Sequence, residues 1–334
     1  MPFLKYFFAG VIIPFVTMLG MAIYIQPLVG DLTRLGNVSE RSWGWNQALP
    51  VVSIDQSATD SDFDVLVIGD SFSEKDIWQS VMRDITGLKF KTFRWEDFSS
   101  PACLEAGISH LKRQFPNIRY VVIETVERSA VSRFTALNGK TDDCPLTSTS
   151  SIHTKTSKTL AVRNKSLDSI PDALYTIKAF LSEPKKYHQT TVSGYGYISP
   201  LKRTDLFSNL KSDALLYFAG DLEKLDWTKA QINASLKNLE KFSQILSQQG
   251  LKIIFAIVPD KSTAYSEYLV NSPFKGKSID IWQKLNAASL TSVNLKAAFS
   301  ETLIMTKDFY LPDDTHLSTA GYQSLASEIS KSLK

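Results

Sequence analysis

The chain has 334 residues, of which 43% are hydrophobic and 21% are charged. This composition excludes a collagenous, low-complexity or wholly disordered chain, because it supplies enough apolar mass for one large domain or two small ones. Lys and Arg together number 37 and Asp and Glu 34, which gives a formal net charge of +3. This excess is too small for the electrostatic footprint of a nucleic-acid binder, so we expect no nucleic-acid partner.

The N-terminus carries one long apolar run. Residues 7–30 contain no charged side chain and are long enough to cross a bilayer at ~20 residues per helical span. Lys5 precedes the run, and Asp31 and Arg34 follow it, a slight bias that favours an N-terminus in the cytoplasm. A cleaved signal peptide and a buried core helix are the alternatives. We expect residues 1–30 to be an uncleaved anchor in the inner (cytoplasmic) membrane, with the rest of the chain periplasmic or extracytoplasmic.

Strand and helix patterns alternate after a turn-rich stretch. Residues 31–62 have the character of a spacer, and residues 63–334 that of a folded domain. The first strand is a run of apolar, mostly β-branched residues of the kind that is buried on both faces of a parallel sheet. The predicted elements are a strand at 64–68, a helix at 73–85, a strand at 88–94, a helix at 104–115 and a strand at 120–123.

The periodicity lapses at about residues 129–220, which are rich in Ser, Thr and Lys and indicate a polar insertion or irregular cap. It then resumes to the C-terminus. Alternation of this kind predicts an α/β fold in which helices cover both faces of a parallel sheet, with functional residues after the strands. The later elements are a helix at 228–249, a strand at 253–258, a helix-and-strand pair at 278–305 and a helix at 320–332.

The two cysteines, Cys103 and Cys144, have no CxxC or Cys/His spacing around them, which argues against a zinc site. In an oxidising exterior they could pair and close a long loop. Two unpaired thiols are the alternative.

A serine directly follows the first predicted strand, in the sequence Gly69-Asp70-Ser71-Phe72-Ser73. On a turn that opens a helix, the Ser71 hydroxyl would point into the cleft. Its backbone N–H, aided by the helix dipole, could hold a developing oxyanion. That placement suits a nucleophile. A serine that only caps the helix is the alternative interpretation.

A histidine with acidic neighbours precedes the last predicted helix. His316 is one of four histidines, and either Asp313 or Asp314 could accept its Nδ1–H while Nε2 takes a proton from a serine. A solvated loop histidine is the alternative. The two loops meet only if the sheet is wound as predicted, so each signal strengthens the other.

These two segments resemble the first and last blocks of the SGNH (GDSL-like) hydrolase superfamily, whose domain is a three-layer αβα, flavodoxin-like fold. Residues 120–129 and 257–265 are similar to segments of the SGNH-like domain of alginate O-acetyltransferases. Those are membrane-anchored or periplasmic proteins that move acetyl groups onto exported polysaccharides.

The resemblance implies that Ser71 is the nucleophile and His316 the general base. The acid is Asp314 if the Asp-Thr-His spacing of the alginate branch holds, and Asp313 if the Asp-x-x-His spacing of ordinary SGNH esterases does; we favour Asp314. The order of the blocks departs from the alginate enzymes, because here the Asp-His element follows the serine, as in plain SGNH esterases and D-alanine transfer proteins.

Four further residues fall near predicted strand ends and are expected to line the cleft or bind substrate, with ordinary salt bridges at the rim of the sheet as the alternative. They are Asp70, Glu124, Arg128 and Lys261. No metal and no cofactor are expected.

The expected function is that of an extracytoplasmic O-acetyltransferase that passes an acetyl group through an acyl-serine onto an exported polysaccharide. The expected partners are that polysaccharide, the membrane and a multispanning membrane acyltransferase that delivers the acyl group. A polysaccharide acetylesterase with the same residues and a non-catalytic, membrane-tethered assembly subunit are the alternatives.

Overall fold

The computed structural model describes residues 2–26, 28–54, 63–137, 144, 170–182, 189–274 and 280–333. Its helices are α1 (Pro2–Ile25), α2 (Asp31–Gly36), α3 (Glu40–Trp43), α4 (Ile77–Thr86), α5 (Leu104–Gln114), α6 (Glu127–Ala136), α7 (Ile170–Ser182), α8 (Lys229–Ser247), α9 (Lys261–Ala264), α10 (Ile281–Ala287), α11 (Leu295–Thr302) and α12 (Thr319–Ser330). Its strands are β1 (Val65–Gly69), β2 (Phe90–Arg94), β3 (Tyr120–Val126), β4 (Thr191–Ser193), β5 (Gly196–Pro200), β6 (Ala214–Phe218) and β7 (Lys252–Val258).

The main sheet is parallel and has the strand order β2-β1-β3-β7. Alternate residues of β1 enter separate hydrophobic cores: Val65 and Val67 on one face, and Leu66 and Ile68 on the other. Both faces of the strand are therefore buried, which is why its sequence is apolar without alternation. Helices α4, α11 and α12 supply the first core, while α5, α6, α8 and α10 supply the second. The predicted parallel α/β architecture is confirmed.

The segment expected to be a polar insertion, 129–220, holds regular structure in its described residues. It contains most of α6, all of α7 and the antiparallel sheet β4-β5-β6. Residues 138–143, 145–169 and 183–188 lie outside the described part of the chain. The three strands were missed because they have only three to five residues each, too few to show a clear alternation of apolar and polar side chains.

The interpretation of residues 31–62 as a spacer is corrected for the described residues 31–54. Leu32, Val38 and Trp43 are buried in a small core that they share with Ile198 and Leu216 of the antiparallel sheet. Helices α2 and α3 are therefore packed onto the domain, and their shortness hides the periodicity that would reveal them. Residues 55–62 lie outside the described residues.

The helix expected from residue 73 begins at Ile77 instead. Residues 71–75 form a turn, and Asp76 adopts a left-handed conformation with φ of 52° that interrupts regular helical geometry. The first turn of α4 therefore starts six residues after Ser71, and a helix dipole acting directly at that serine is ruled out.

The helix-and-strand pair expected at 278–305 is also corrected, because the described residues there form α10 and α11. Between them the chain makes a single bridge, in which Phe255 of β7 pairs with Ser292. Val293 next to this bridge is buried in the first core, but Leu295 already begins α11, so the extended segment is too short to form a further strand.

Helix α1 is long and apolar enough to cross a membrane over Phe3–Ile25, by length and composition. Most of its side chains are exposed on the surface of the protein, which argues against a buried core helix. A disulfide joins Cys103, directly before α5, to Cys144 in the segment between α6 and α7.

Candidate active site

The hydroxyl of Ser71 lies within hydrogen-bonding distance of the imidazole of His316. The distance from His316 Nε2 to Ser71 Oγ is 2.8 Å, and from His316 Nδ1 to Asp314 Oδ1 it is 2.6 Å. The backbone N–H of His316 also donates to Asp314 Oδ1 over 3.0 Å. Serine, imidazole and carboxylate therefore form one chain of hydrogen bonds with the order of groups seen in serine-dependent acyl transfer.

The structure places Ser71 on the turn after β1 and His316 on the loop before α12, so the two loops meet at the carboxyl edge of the sheet. The loop that carries His316 is closed at its base by the bridge between Tyr310 and Leu317 and by a hydrogen bond from Leu311 N to His316 O. The ring of Phe72, adjacent to the serine, lies 4.9 Å from the imidazole ring. These contacts fix the orientation of the imidazole.

Asp314 and Asp313 occupy different environments. Burial disfavours an ionised Asp314, but the hydrogen bonds from His316 outweigh it and hold the pKa of this carboxyl well below its usual range. Asp313 is buried, and its backbone carbonyl accepts hydrogen bonds from the N–H groups of Leu32 and Thr33. The geometry therefore favours Asp314 as the partner of the imidazole.

The turn that carries Ser71 rests on a buried carboxyl group. Glu124 of β3 is fully buried, and its Oε2 accepts hydrogen bonds from Ser73 Oγ (2.7 Å) and Asp70 N (3.0 Å). Burial, and next the nearby Asp70 carboxylate, raise the pKa of Glu124 well above its usual range. A Cβ at Gly69 would lie 2.2 Å from Ser73 Oγ and 2.7 Å from Glu124 Oε2, so only glycine fits there.

Asp70 braces the same turn from the other side. Its Oδ2 accepts from Val126 N and from Arg133 Nη1, 2.8 and 2.7 Å away, while its Oδ1 accepts from Phe72 N. The expectation that Asp70 and Glu124 line the cleft is corrected: both are buried, and the oxygens that make these bonds are directed at the turn and at β3.

Lys261 supports the loop that carries His316. This buried side chain donates from Nζ to the carbonyl oxygens of Leu311 (2.7 Å), Pro312 (2.9 Å) and Asp314 (3.2 Å). Burial lowers the pKa of Lys261 to about 7, although the carboxylate of Asp313 acts in the opposite direction. The expectation that Lys261 binds substrate is corrected, since its three N–H groups are directed at backbone carbonyls.

Comparison with protein families identifies the C-terminal part of this α/β domain. Residues 212–334 match the family model described as "SGNH hydrolase-like domain, acetyltransferase AlgX". This part of the chain is similar to that family. The match includes Lys261, Asp314 and His316, whereas Ser71 and Glu124 lie before it. No curated protein matches the chain.

Arg128 is part of a buried network of charges. Its Nη1 lies 2.7 Å from Asp260 Oδ1 and 3.4 Å from Asp221 Oδ1. Lys224 Nζ in turn lies 2.8 Å from Asp260 Oδ2 and 3.1 Å from Glu127 Oε2. The salt-bridge alternative therefore describes Arg128 better than a substrate contact does. Lys224 and Asp221 were missed because they lie between the polar stretch and the helix predicted from residue 228, where no motif distinguishes them.

Asp31 is a neighbour of the candidate active site that the sequence did not indicate. Its Oδ2 lies 3.7 Å from His316 Nδ1, and its backbone N–H donates to Asp314 Oδ2 over 3.4 Å. The segment is held in place by buried Glu40, whose Oε2 accepts from Gly30 N and Thr33 Oγ1. In the sequence Asp31 marks only the end of the apolar run, and no motif distinguishes it.

Within the described residues of the chain, the atoms that could hold a metal ion are those of Asp31, Asp314 and His316, which lie within 4.8 Å of one another. Nδ1 of His316 is the only ring nitrogen facing these carboxylates, and it is already hydrogen-bonded to Asp314. A metal there would replace the hydrogen bond that orients the imidazole, so we assign these atoms to the serine–histidine–aspartate chain.

Proposed function

We propose that this protein is an extracytoplasmic O-acetyltransferase that moves an acetyl group, through an acyl-serine intermediate, onto hydroxyls of an exported polysaccharide. The observation that carries the proposal is the hydrogen-bonded chain Ser71–His316–Asp314 in an SGNH domain whose C-terminal part matches an acetyltransferase family.

In the acylation step, Ser71 Oγ attacks the carbonyl carbon of the acyl donor while His316 Nε2 takes the hydroxyl proton. The bond to the donor oxygen then breaks, and the imidazolium returns this proton to the leaving group. The Asp314 carboxylate accepts a hydrogen bond from Nδ1–H throughout, which fixes the tautomer and stabilises the imidazolium. Its lowered pKa keeps it ionised at neutral pH.

The developing oxyanion needs hydrogen-bond donors close to the serine. Among the described residues the backbone N–H of Ser71 has no acceptor, whereas those of Phe72 and Ser73 are bonded to Asp70. This free N–H is the donor that we assign to the oxyanion. Since the helix α4 starts only at Ile77, the braced turn provides the orientation that a helix N-terminus would otherwise give.

In the second step a sugar hydroxyl replaces the leaving group. His316 Nε2 takes its proton as the oxygen attacks the acyl carbon, and Ser71 leaves with that proton returned to Oγ. Exclusion of water from the acyl-enzyme separates transfer from hydrolysis.

The proposed location is the outer face of the inner membrane, with α1 as a single span and the N-terminus in the cytoplasm. The disulfide between Cys103 and Cys144 supports an oxidising compartment. Because such a compartment lacks acetyl-CoA, we propose that a multispanning membrane acyltransferase supplies the acyl group.

The test uses the full chain in detergent with an activated acetyl ester as donor and soluble oligosaccharides as acceptors. We expect acetylated oligosaccharide from the unchanged protein and none from Ser71→Ala or His316→Ala. Ser300→Ala on α11 is the matched control and should act as the unchanged protein does. Equal acetylation by the Ser71→Ala protein would contradict the proposal and favour a non-catalytic assembly subunit.

An acetylesterase is the second candidate, and it is favoured by the exposure of Ser71 to solvent. Water that reaches the acyl-serine would hydrolyse it with the same imidazole as base. In the same assay an esterase would release acetate that depends on Ser71, while the oligosaccharide would stay unmodified.

A further inference from the structure

Helix α7 exposes large apolar side chains that the active site does not use. Leu174 is 54% exposed and Leu181 70% exposed, and Tyr175 and Phe180 are also on the surface. On the opposite side of the helix three small residues, Ala173, Thr176 and Ala179, are buried. At 100° per residue, Leu174 and Leu181 are only about 20° apart on the helix, so they form one apolar stripe.

This helix packs against α1, the proposed membrane span. Ala22 and Ile25, near the C-terminal end of α1, are buried, whereas most of the helix is exposed. Small residues such as those on the buried face of α7 let two helices approach closely, a common device between helices in lipid. The exposed stripe of α7 therefore lies beside the end of the span.

The apolar surface continues from α7 onto the domain. The hydroxyl of Tyr175 donates to the carbonyl of Arg34 in α2 over 3.1 Å, and Tyr195 N donates to the carbonyl of Leu35 over 2.9 Å. Leu35, Val192 and Tyr195 are themselves exposed, Tyr195 by 69%. One surface thus runs from α7 across α2 to the turn between β4 and β5.

We propose that this surface is a membrane-docking face that rests on the lipid bilayer where α1 leaves it. The docking face consists of Leu35, Leu174, Tyr175, Leu181, Val192 and Tyr195.

A lipid surface is favoured over a protein as the occupant because the docking face is continuous with α1. At 1.5 Å per residue α7 is about 20 Å long, which is too short to cross a hydrocarbon core of about 30 Å. A short helix with one apolar stripe beside a span instead suits the boundary between headgroups and acyl chains. Tyr175 and Tyr195 carry the amphipathic rings that are enriched at this depth, and Lys178 lies exposed beside the stripe.

Docking would place the candidate active site close to the bilayer. Helix α2 has Leu35 of the docking face at one end and Asp31, 3.7 Å from the imidazole of His316, at the other. Six helical residues span only about 9 Å, so the site would lie within about one short helix of the lipid surface. This consequence rests on the proposed function: the acyl donor would then be a group presented at the membrane, not a freely diffusing one.

The test measures lipid contact directly on the full chain reconstituted into liposomes of phosphatidylcholine and phosphatidylglycerol. A fluorophore is attached to Leu174→Cys, or to Ile85→Cys as the matched control, while Cys103 and Cys144 remain paired with each other. Ile85 is a large apolar residue of equal exposure, 54%, at the end of α4 on the opposite edge of the sheet. Lipids with a nitroxide near the headgroup serve as quenchers.

We expect strong quenching and a blue-shifted emission at position 174 and neither change at position 85. A second label at Tyr195→Cys should also be quenched, and should lose the quenching when Leu174→Glu and Leu181→Glu are introduced together. No quenching at 174 in pure lipid would overturn the proposal. So would a blue shift at 174 that appears only in native membranes, because a protein would then cover the face. Ser71→Ala protein should dock normally, so a failure of docking is distinguishable from a failure of the chemistry.

Discussion

His316 Nε2 lies 2.8 Å from Ser71 Oγ, although 245 positions separate the two residues in the chain. No local feature of the sequence brings together the turn that carries Ser71 and the loop that carries His316. The parallel winding of the sheet brings both to its carboxyl edge, where Glu124 and Lys261 each support one of them. Glu124 and Lys261 hold these segments without contacting the reacting atoms. Substitutions of these two residues therefore test the positioning of Ser71 and His316, whereas substitutions of Ser71 and His316 test the chemistry.

Substitution of the two adjacent aspartates identifies the acid. Asp314→Asn should lower kcat by about 10⁴-fold, because the amide favours the wrong tautomer of the imidazole. Asp313→Asn should leave kcat within a few-fold of the unchanged protein and act mainly on stability, since its backbone carbonyl, which the substitution preserves, makes the contacts with Leu32 and Thr33. Initial rates of ester turnover and thermal unfolding measure the two effects. A large loss of kcat in Asp313→Asn alone would show that the Asp-x-x-His spacing applies.

The fall of kcat on the alkaline side of its pH profile should follow the deprotonation of Lys261. As an ammonium it donates three N–H groups to three carbonyls, but the neutral amine has two N–H groups and directs a lone pair at the third oxygen. Because its pKa is lowered to about 7, the proton is lost as pH rises through that value, and activity should fall with it. The measurement is kcat against pH.

Lys261→Arg keeps its charge at all these pH values, so its alkaline limb should move to higher pH. Lys229→Arg on the exposed start of α8 is the matched control and should change nothing. If the Arg protein folds and retains the limb near pH 7, another group titrates there.

Glu124 should tolerate replacement by Gln but not by Ala. Burial raises its pKa well above the usual range, which favours the neutral acid, and Gln keeps an oxygen that can accept the same hydrogen bonds, so Glu124→Gln should keep near-normal unfolding temperature and kcat. Glu124→Ala leaves Ser73 Oγ and Asp70 N without this acceptor, which should cost about 1–3 kcal/mol of stability for each group left unsatisfied in a buried site. Calorimetry and initial rates on the same samples check both variants. Equal damage from Gln and Ala would mean that the ionised form is needed.

Asp31 should have a small effect that depends on salt. Its carboxylate stabilises the imidazolium from 3.7 Å but is about a third exposed, so Asp31→Asn should reduce kcat roughly two- to fivefold at low ionic strength. The loss should shrink at high salt, because screening weakens the same interaction in the unchanged protein. A loss that is independent of salt would indicate that the backbone of α2 has moved instead.

The sequence predicts the central sheet and the grouping of Ser71, Asp314 and His316 because both depend on strong local signals. Runs such as Val65–Gly69 and Lys252–Val258 are apolar on both faces, which is typical of parallel strands. Once these strands are placed side by side, the loops that follow them share an edge, which places Ser71 there. Asp314 and His316 were indicated by their own motif, because the described elements directly before their loop are helices α10 and α11.

The supports of the site could not be predicted in the same way. Buried polar residues such as Glu124 and Lys261 have no periodicity, and their roles depend on partners 50 or more positions away. Because Glu124 and Lys261 lie near predicted strand ends, the sequence suggested that they line a cleft. In the structure both side chains are buried and bind groups of the turn and loop that they support. The contact of Asp31 with the site depends on α2, a helix of six residues that is too short to leave a pattern.

The central claim is that Ser71 becomes acylated, and trapping that intermediate tests it most directly. The full chain is mixed with an activated acetyl ester, quenched in acid within one turnover, digested and mapped by mass spectrometry. We predict one acetyl group on the peptide that contains Ser71, and none on that peptide from Ser71→Ala or His316→Ala protein. Turnover of the ester without any acetylated Ser71 peptide, or an equal yield from the His316→Ala protein, would contradict the account.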